Sequence, residues 1–325
     1  MSVAWMGLLA AALFAVMVAV FVHASYPWMR IRLEGLPPRL RARAAFTLLA
    51  APLALGTTLS LLAVLPGVAA PLAPTLDHCM EHGDHHFHLC LVHGPTGIDF
   101  SRIGMVLGVL SAPFIIRLAF AAARLHRGHR LLSAFRRTAR PTAASYEEIV
   151  SEAPFAVTAG LWRPQVYVTT GLLQLLDSTS RRAVLAHEAA HVRRRDPLMK
   201  LLAELCSAFH LPGTRAALVA DHSLYCELAC DEAAAVSLGD RTAVADALVK
   251  LGRLVSDCTP TDTPAIAHFG EGRISTRVHA LLNAPKPRPR LPSTGVTVMA
   301  SLILAVLLSA PLHHATETVL GTFFG

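Results

Sequence analysis

The fold class this sequence predicts is mainly α: four transmembrane helices, with a cytoplasmic α+β domain inserted between spans three and four. The first observation behind it is composition. The 325 residues are 53% hydrophobic and only 16% charged, and the mean hydropathy is +0.48. Soluble globular chains carry about 25% charged residues, so the apolar segments need a hiding place other than a core. The second observation is four apolar stretches near the roughly 20 residues that span a bilayer. The third is where the arginines fall between those stretches.

Val3 to Val22 carries no charge. The stretch is too long for the apolar region of a signal peptide and no Lys or Arg precedes it, so an uncleaved span is expected. The second span runs from about Ala44 to Ala70, interrupted by Pro52 and Pro66. The third covers about Ile103 to Ala123 and contains Arg117 toward its cytoplasmic end, which reads as a snorkelling side chain with a functional charge as the alternative. The fourth covers about Ser293 to Leu312.

Arg30, Arg32, Arg39, Arg41 and Arg43 lie between spans one and two, and Arg124, Arg127, Arg130, Arg136, Arg137 and Arg140 follow span three. Residues 71–101 hold Asp77, Glu81, Asp84 and Asp99 and no Lys or Arg. The positive-inside rule then puts residues 24–43 and 124–292 inside, and residues 71–101 and both termini outside. The expected domains are residues 1–123, a three-span membrane region with an outward loop at 71–101; residues 124–292, a cytoplasmic domain; and residues 293–325, the fourth span with a short outward tail. The net charge of +7 is explained by this topology, so no direct nucleic-acid partner is expected; the bilayer is.

Within residues 124–292, the runs 156–160 and 165–170 read as two strands joined by a hairpin turn between Gly160 and Pro164. An exposed strand edge can bind an extended peptide by strand addition; a plain structural hairpin is the alternative. Ser178 to Ser180 supply capping residues for a helix from about Arg181 to Arg194. Further helices are expected from Pro197 to Phe209, from about Arg215 to Leu238 with Gly239 as its stop, over 241–256 capped by Asp240, and near 271–283. Pro285 to Pro292 reads as a stiff linker.

The helix at 181–194 carries His187-Glu188-Ala189-Ala190-His191. Residues i and i+4 share a helical face, so both imidazoles can reach one metal ion, and Glu188 is placed to take a proton from an activated water. That pattern belongs to zinc hydrolases. Glu227 and Asp231, at i and i+4 on a later helix, supply the rest. With Glu227 as third ligand, Zn2+ keeps an open position, and Asp231 can accept the N–H of a ligand histidine and set its tautomer. These carboxylates sit among Leu228, Ala229, Ala233 and Ala234, where bare charges are costly. Cys226 and Cys230 flank Glu227 at helical spacing; they read as small buried side chains, with a thiolate site as the alternative.

LAHEAAHVRRRDPL followed by YCELACDEAA resembles the bacterial BlaR/MecR-type membrane metallopeptidases, relatives of the HtpX and CAAX-protease group. The resemblance covers the four-span layout as well as the inserted domain. It implies a zincin-like peptidase domain, a zinc metalloendopeptidase activity with Glu188 as base, and a multi-pass place in the bacterial inner membrane. It also implies a protein substrate: a BlaI/MecI-type repressor, the protease itself, or both. His268, Arg273 and Arg277 are candidates to steady the oxyanion. The named sensors carry an extracellular penicillin-binding domain after the last span, whereas Pro311 to Gly325 is too short for one, so the bare peptidase module is expected. Two other readings stand beside this one. One is HtpX-like quality control of membrane proteins. The other is a non-enzymatic transducer with a structural metal, which has no need of Glu188.

The outward loop holds His78, His82, His85, His86, His88 and His93 with Cys79 and Cys90. A disulfide between the two cysteines, a metal-binding loop and an unstructured polar loop are all open readings.

Overall fold

Helix α1 (Ser2–Leu33) and helix α2 (Pro38–Ala69) form an antiparallel pair joined by a tight turn. The computed structural model describes residues 2–69, 100–142, 145–258, 264–283 and 294–324. The pair is held at close range by small residues. A side chain added at Gly56 would meet Ala15 Cβ at 2.9 Å and the Ala11 carbonyl oxygen at 3.0 Å. One turn on, Ser60 Oγ donates to the Gly7 carbonyl at 2.7 Å. Lipid gives helices no hydrophobic reason to associate, so close backbone approach and such hydrogen bonds carry the contact.

Helix α3 (Phe100–Thr138) is the third long apolar helix. Among the described residues three stretches are long and apolar enough to cross a membrane: Ala4–Leu33, Pro38–Pro66 and Ser101–Gly128. Each extends past the apolar run expected from sequence, because helix propagation continues into the arginine-bearing flanks once the turn is nucleated.

A four-stranded sheet follows: β1 (Ala139–Pro141), β2 (Glu147–Ile149), β3 (Ala156–Ala159) and β4 (Gln165–Thr169), in the order β1-β2-β4-β3. The hairpin expected from sequence is β3 and β4, paired antiparallel from Ala156 opposite Val168 to Ala159 opposite Gln165. Strands β1 and β2 were not expected; three residues each, reading Ala-Arg-Pro and Glu-Glu-Ile, they carry no alternating apolar signal. Their pairing leaves β3 at the sheet edge. Val166 and Val168 of β4 pack with Leu172 and Val184, tying the sheet to the helices that follow.

After the short helix α4 (Thr170–Leu175) comes α5 (Ser178–Arg194), the motif helix. Its cap is Asp177 rather than the serines: the carboxylate accepts the N–H groups of Thr179 and Ser180 at 3.0 and 2.9 Å. Arg195, in the left-handed region at φ 53°, turns the chain at once into α6 (Asp196–Cys206). A 3-10 turn at Ser207–Phe209 leads to α7 (Pro212–Leu238), which ends at Gly239 with φ 71°. Asp240 then caps α8 (Arg241–Cys258), accepting from Thr242 and Ala243. Helix α9 (Pro264–Leu282) starts earlier than expected. The linker expected from Pro285 to Pro292 lies outside the described residues, as do Cys79, Cys90 and nearly all of the loop at 71–101.

Helix α10 (Thr294–Phe324) contains the fourth expected span, but its backbone stays helical to Phe324 where a short tail was expected after Leu312. The extension is buried work: Leu320 packs with Met6, Leu9 and Ile103, and His313 bonds the Ala63 carbonyl.

Helix α7 packs against both α2 and the motif helix α5. Near its start Leu218 packs with Val18, Val22, Tyr26 and Leu49; a few turns on, Tyr225, Cys226 and Leu228 pack with Leu33, Ala42 and Ala45. Between these patches lies buried Asp221, to which Tyr26 Oη donates at 2.6 Å and Arg30 Nη2 at 2.9 Å. Arg117 donates to the carbonyls of Ala208 and His210, at the end of the 3-10 turn.

Replacing Gly56 with Leu should force α1 and α2 apart and cost about 1–3 kcal/mol. Thermal unfolding in detergent should show a lower midpoint, while Gly104→Leu, which meets nothing within 4 Å, should leave it within about 0.5 kcal/mol of the parent.

Candidate active site

Two helices supply the inner ring of groups. On α5, His187 and His191 stand one turn apart with ring centroids 4.7 Å from each other, and their Nε2 atoms are 3.1 Å apart. Helix α7 crosses them and presents Glu227, whose Oε2 lies 3.4 Å from His187 Nε2 and 3.6 Å from His191 Nε2. One ligand atom from each of the three lies within 4.8 Å of the others. Two nitrogens bound tetrahedrally at about 2.0–2.1 Å would be about 3.3 Å apart. The three observed separations bracket that value, so the donor set fits zinc in both chemistry and spacing.

The far side of each imidazole is held by a carboxylate. His191 Nδ1–H donates to Asp196 Oδ2 at 2.7 Å, and His187 Nδ1 lies 2.9 Å from Asp231 Oδ1. Both arrangements turn Nε2 toward Glu227 and leave it as the metal-facing nitrogen. Asp231 is itself gripped by Arg277, which donates to its two oxygens at 2.7 Å each. Asp196 receives Arg194 Nε at 3.2 Å and lies 3.3 Å from the Cys230 thiol. Lys200 Nζ donates to Glu227 Oε1 at 2.9 Å, occupying the oxygen that faces away from the histidines.

The electrostatics follow from this packing. Burial alone would push the carboxylates up; instead the histidines, then Lys200 and Arg277, hold Glu227 well below the ordinary range. Asp231 is lowered against its burial by Arg277 and His187. For His187 burial acts downward, yet Asp231 and Glu227 outweigh it and raise the imidazole to about 9. The Cys230 thiol is pushed up, first by burial and then by Asp196. It therefore stays a neutral side chain in the packing around His191 and Asp196 rather than a thiolate.

A cavity of about 340 Å³ opens onto this ring, bounded by β3, α5, α6, α8 and Arg277. Glu188 lines it, and Thr158 of the edge strand donates to Glu188 Oε2 at 2.7 Å, fixing the carboxylate at the cleft. The structure thus brings together His187, Glu188, His191, Glu227 and Asp231. Of the three basic candidates, Arg277 lines the cleft but is bound to Asp231, and its Nη1 is 3.4 Å from Glu227 Oε2. Arg273 reaches Ser223 Oγ at 3.5 Å and is not among the cleft-lining residues. The His268 side chain lies outside the described residues. Sequence reasoning missed Asp196, Lys200 and Thr158 as site groups. Asp196, five residues after His191 and at the start of the next helix, was the most legible of them; Lys200 and Thr158 carry no local signal.

Residues 121–256 match the model of peptidase family M48. The matched segment runs from the end of α3 through α8, so it contains both motif histidines, Glu188, Glu227 and Asp231. The M48 match indicates a metallopeptidase hydrolase, here joined to helices apolar enough for a membrane. No curated protein and no solved structure matches the chain.

In chelator-treated protein, His187 should make stability depend on pH. Its folded pKa of about 9 lies above the 6.5 of a free imidazole. Its contribution, at most about 3 kcal/mol, is therefore complete below about pH 6.5 and disappears as pH rises through 9. Denaturation measured from pH 6 to 10 should show that loss, and His187→Asn should remove part of it, because against its burial His191 is raised in the same direction by Asp196 and Glu227.

Proposed function

We propose that this chain is an integral-membrane zinc endopeptidase that hydrolyses peptide bonds at the cytoplasmic face of the bacterial inner membrane. The observation that carries the reading is the convergence of His187 Nε2, His191 Nε2 and Glu227 Oε2 beside a cleft that also contains Glu188. In this reading those three side chains hold the zinc. When bound, it supplies a Lewis acid that polarises the scissile carbonyl and lowers the pKa of water. Glu188, steadied by Thr158, accepts the proton of the attacking water and delivers it to the leaving nitrogen. Asp231 and Asp196 hold the two imidazoles in the metal-binding tautomer. Lys200 keeps Glu227 from offering both oxygens at once, and Arg277 stiffens Asp231 and remains the basic group best placed to meet a substrate carbonyl.

The edge strand β3 lies along the cleft, and an extended substrate adds to it as a further strand. The orientation rests on the arginines: α7 packs against the ends of α1 and α2 that carry Arg30, Arg32, Arg39, Arg41 and Arg43. The positive-inside rule makes that end cytoplasmic. The resemblance to BlaR/MecR-type peptidases favours regulated proteolysis of a transcriptional repressor, the protease itself, or both, over general quality control.

Glu188→Gln should keep its zinc and lose about a hundred- to ten-thousandfold of the hydrolytic rate, measured by metal analysis beside peptide cleavage. Zinc retained with full proteolysis would remove Glu188 as the base. Asp196→Asn and Asp231→Asn should each weaken zinc binding about 10–100-fold in competition titrations. Substrates trapped on the Glu188→Gln protein and identified by mass spectrometry should include a DNA-binding repressor; a set made only of damaged membrane proteins would favour quality control.

A further inference from the structure

Helix α2 contains two prolines within its span, Pro52 and Pro66. Proline has no N–H, so each breaks the helical ladder and its ring crowds the carbonyl one turn back. Inside a membrane the groups freed in this way take partners from elsewhere in the fold. At both breaks that partner is a buried histidine, and at both it reaches the carbonyl three residues before the proline. His210 Nε2 lies 3.1 Å from the Leu49 oxygen, and His313 Nδ1 bonds the Ala63 oxygen. The Leu48 carbonyl, which Pro52 deprives of its ordinary helical donor, also acts on the His210 imidazole. A carbonyl only accepts, so His210 carries its proton on Nε2. Its Nδ1 is buried and has no hydrogen-bond partner among the described residues. Burial pushes this imidazole below its ordinary range and Arg117 of α3 acts the same way, so the ring is uncharged. An aliphatic side chain would fill the space without stranding a nitrogen. What the imidazole adds is one N–H aimed at the proline break.

We infer that His210 is a positioning residue for the metal site, setting the direction of α7 by joining its start to the Pro52 break of α2. The inference rests on the reading of His187, His191 and Glu227 as zinc donors and adds how their geometry is set. His210 closes the 3-10 turn between α6 and α7. The helix before that turn carries Asp196 and Lys200, and the helix after it carries Glu227 and Asp231. Asp221, bound to Tyr26 and Arg30, is one polar hold on α7. The apolar contacts around it are non-directional, so a second polar hold is needed to fix the tilt. Pro212, where α7 begins, is nine residues or about 14 Å before Asp221, and Glu227 is six residues or about 9 Å after it. With Asp221 as pivot, a shift of about 1.5 Å at the start swings Glu227 by about 1 Å, a misplacement that can cost a rate about a hundredfold. The turn is itself well held. Arg117 donates to the carbonyls of Ala208 and His210, Arg215 Nε donates to Ser207 Oγ at 3.1 Å, and the Phe209 ring packs on Phe114 of α3 with centroids 4.8 Å apart.

The test uses the full chain in detergent and reads zinc affinity by competition titration, beside thermal unfolding and peptide cleavage. His210→Ala should weaken zinc binding about tenfold and lower kcat by a similar factor, with KM little changed. His210→Gln, whose amide N–H also reaches the carbonyl, should recover most of both losses. In a Pro52→Ala background the helix supplies its own donor, so adding His210→Ala there should cost less than about twofold further. A His210→Ala protein that melts lower yet keeps parental zinc affinity and kcat overturns the proposal, because packing alone then accounts for the residue. The full tenfold loss persisting in the Pro52→Ala background overturns it too, since His210 would not be serving the proline break. If His210→Ala does not fold, His210→Gln is compared with His210→Leu, which matches it in size but lacks the N–H; equal zinc affinities, or a Gln protein that unfolds as well, count against the proposal. A parent that binds zinc and cuts nothing removes the peptidase reading alone, because the zinc titrations carry this test without cleavage. A parent that never binds zinc removes the donor reading and the positioning role with it.

Discussion

Three carboxylates, two imidazoles and three cationic side chains are packed between α5, α6, α7 and α9, and none of the carboxylates has enough water to stand alone. Removing one partner from a buried ion pair costs about 3–5 kcal/mol, because the other charge is left uncompensated. That cost dictates the arrangement. Asp231 is taken by Arg277 and His187, Asp196 by Arg194 and His191, and Glu227 by Lys200 on one oxygen. Glu227 Oε2, approached by Arg277 Nη1 at 3.4 Å, then faces a common point with the two Nε2 atoms. The same pairings that make the charges tolerable leave a metal-shaped set of donors over.

The second constraint is the length of α7. Its 27 residues span about 40 Å at 1.5 Å per residue. One helix can therefore lie against α1 and α2 and still present Glu227 and Asp231 to the cleft. Asp221, bound to Tyr26 and Arg30, is six residues before Glu227, about 9 Å along the axis. The third donor is thus set by a helix anchored to the membrane pair less than two turns away. Helices α1 and α2 and the helix that presents Glu227 share this packing.

Legibility differed by element for physical reasons. The motif on α5 and the Glu227–Asp231 pair could be read because a helix repeats every 3.6 residues, so spacing alone puts groups on a face. The β3–β4 hairpin was visible through its alternation and its Gly and Pro punctuation. Strands β1 and β2 were not, since three-residue strands rich in charge exist only through their neighbours. The N-cap was misread by one residue, because Asp177 and the serines after it are all good capping types and only the backbone direction chooses among them. The carbonyls of Ala208 and His210 that Arg117 reaches lie some 90 residues away, beyond any local pattern. Likewise the residues after Leu312 read as a tail until Leu320 was found against Met6, Leu9 and Ile103.

By itself, then, the sequence determined the periodic and compositional facts: apolar runs of membrane length, arginines marking one side, two histidines and a glutamate at hydrolase spacing, and a downstream acidic pair. Each follows from neighbours in the chain. Tertiary structure alone decided which nitrogen of each histidine faces Glu227, which cation neutralises which acid, and that Thr158 steadies Glu188. Most of those are contacts across 27 to 46 residues of chain. Their partners are chosen by packing and by the cost of buried charge, neither of which a local pattern records.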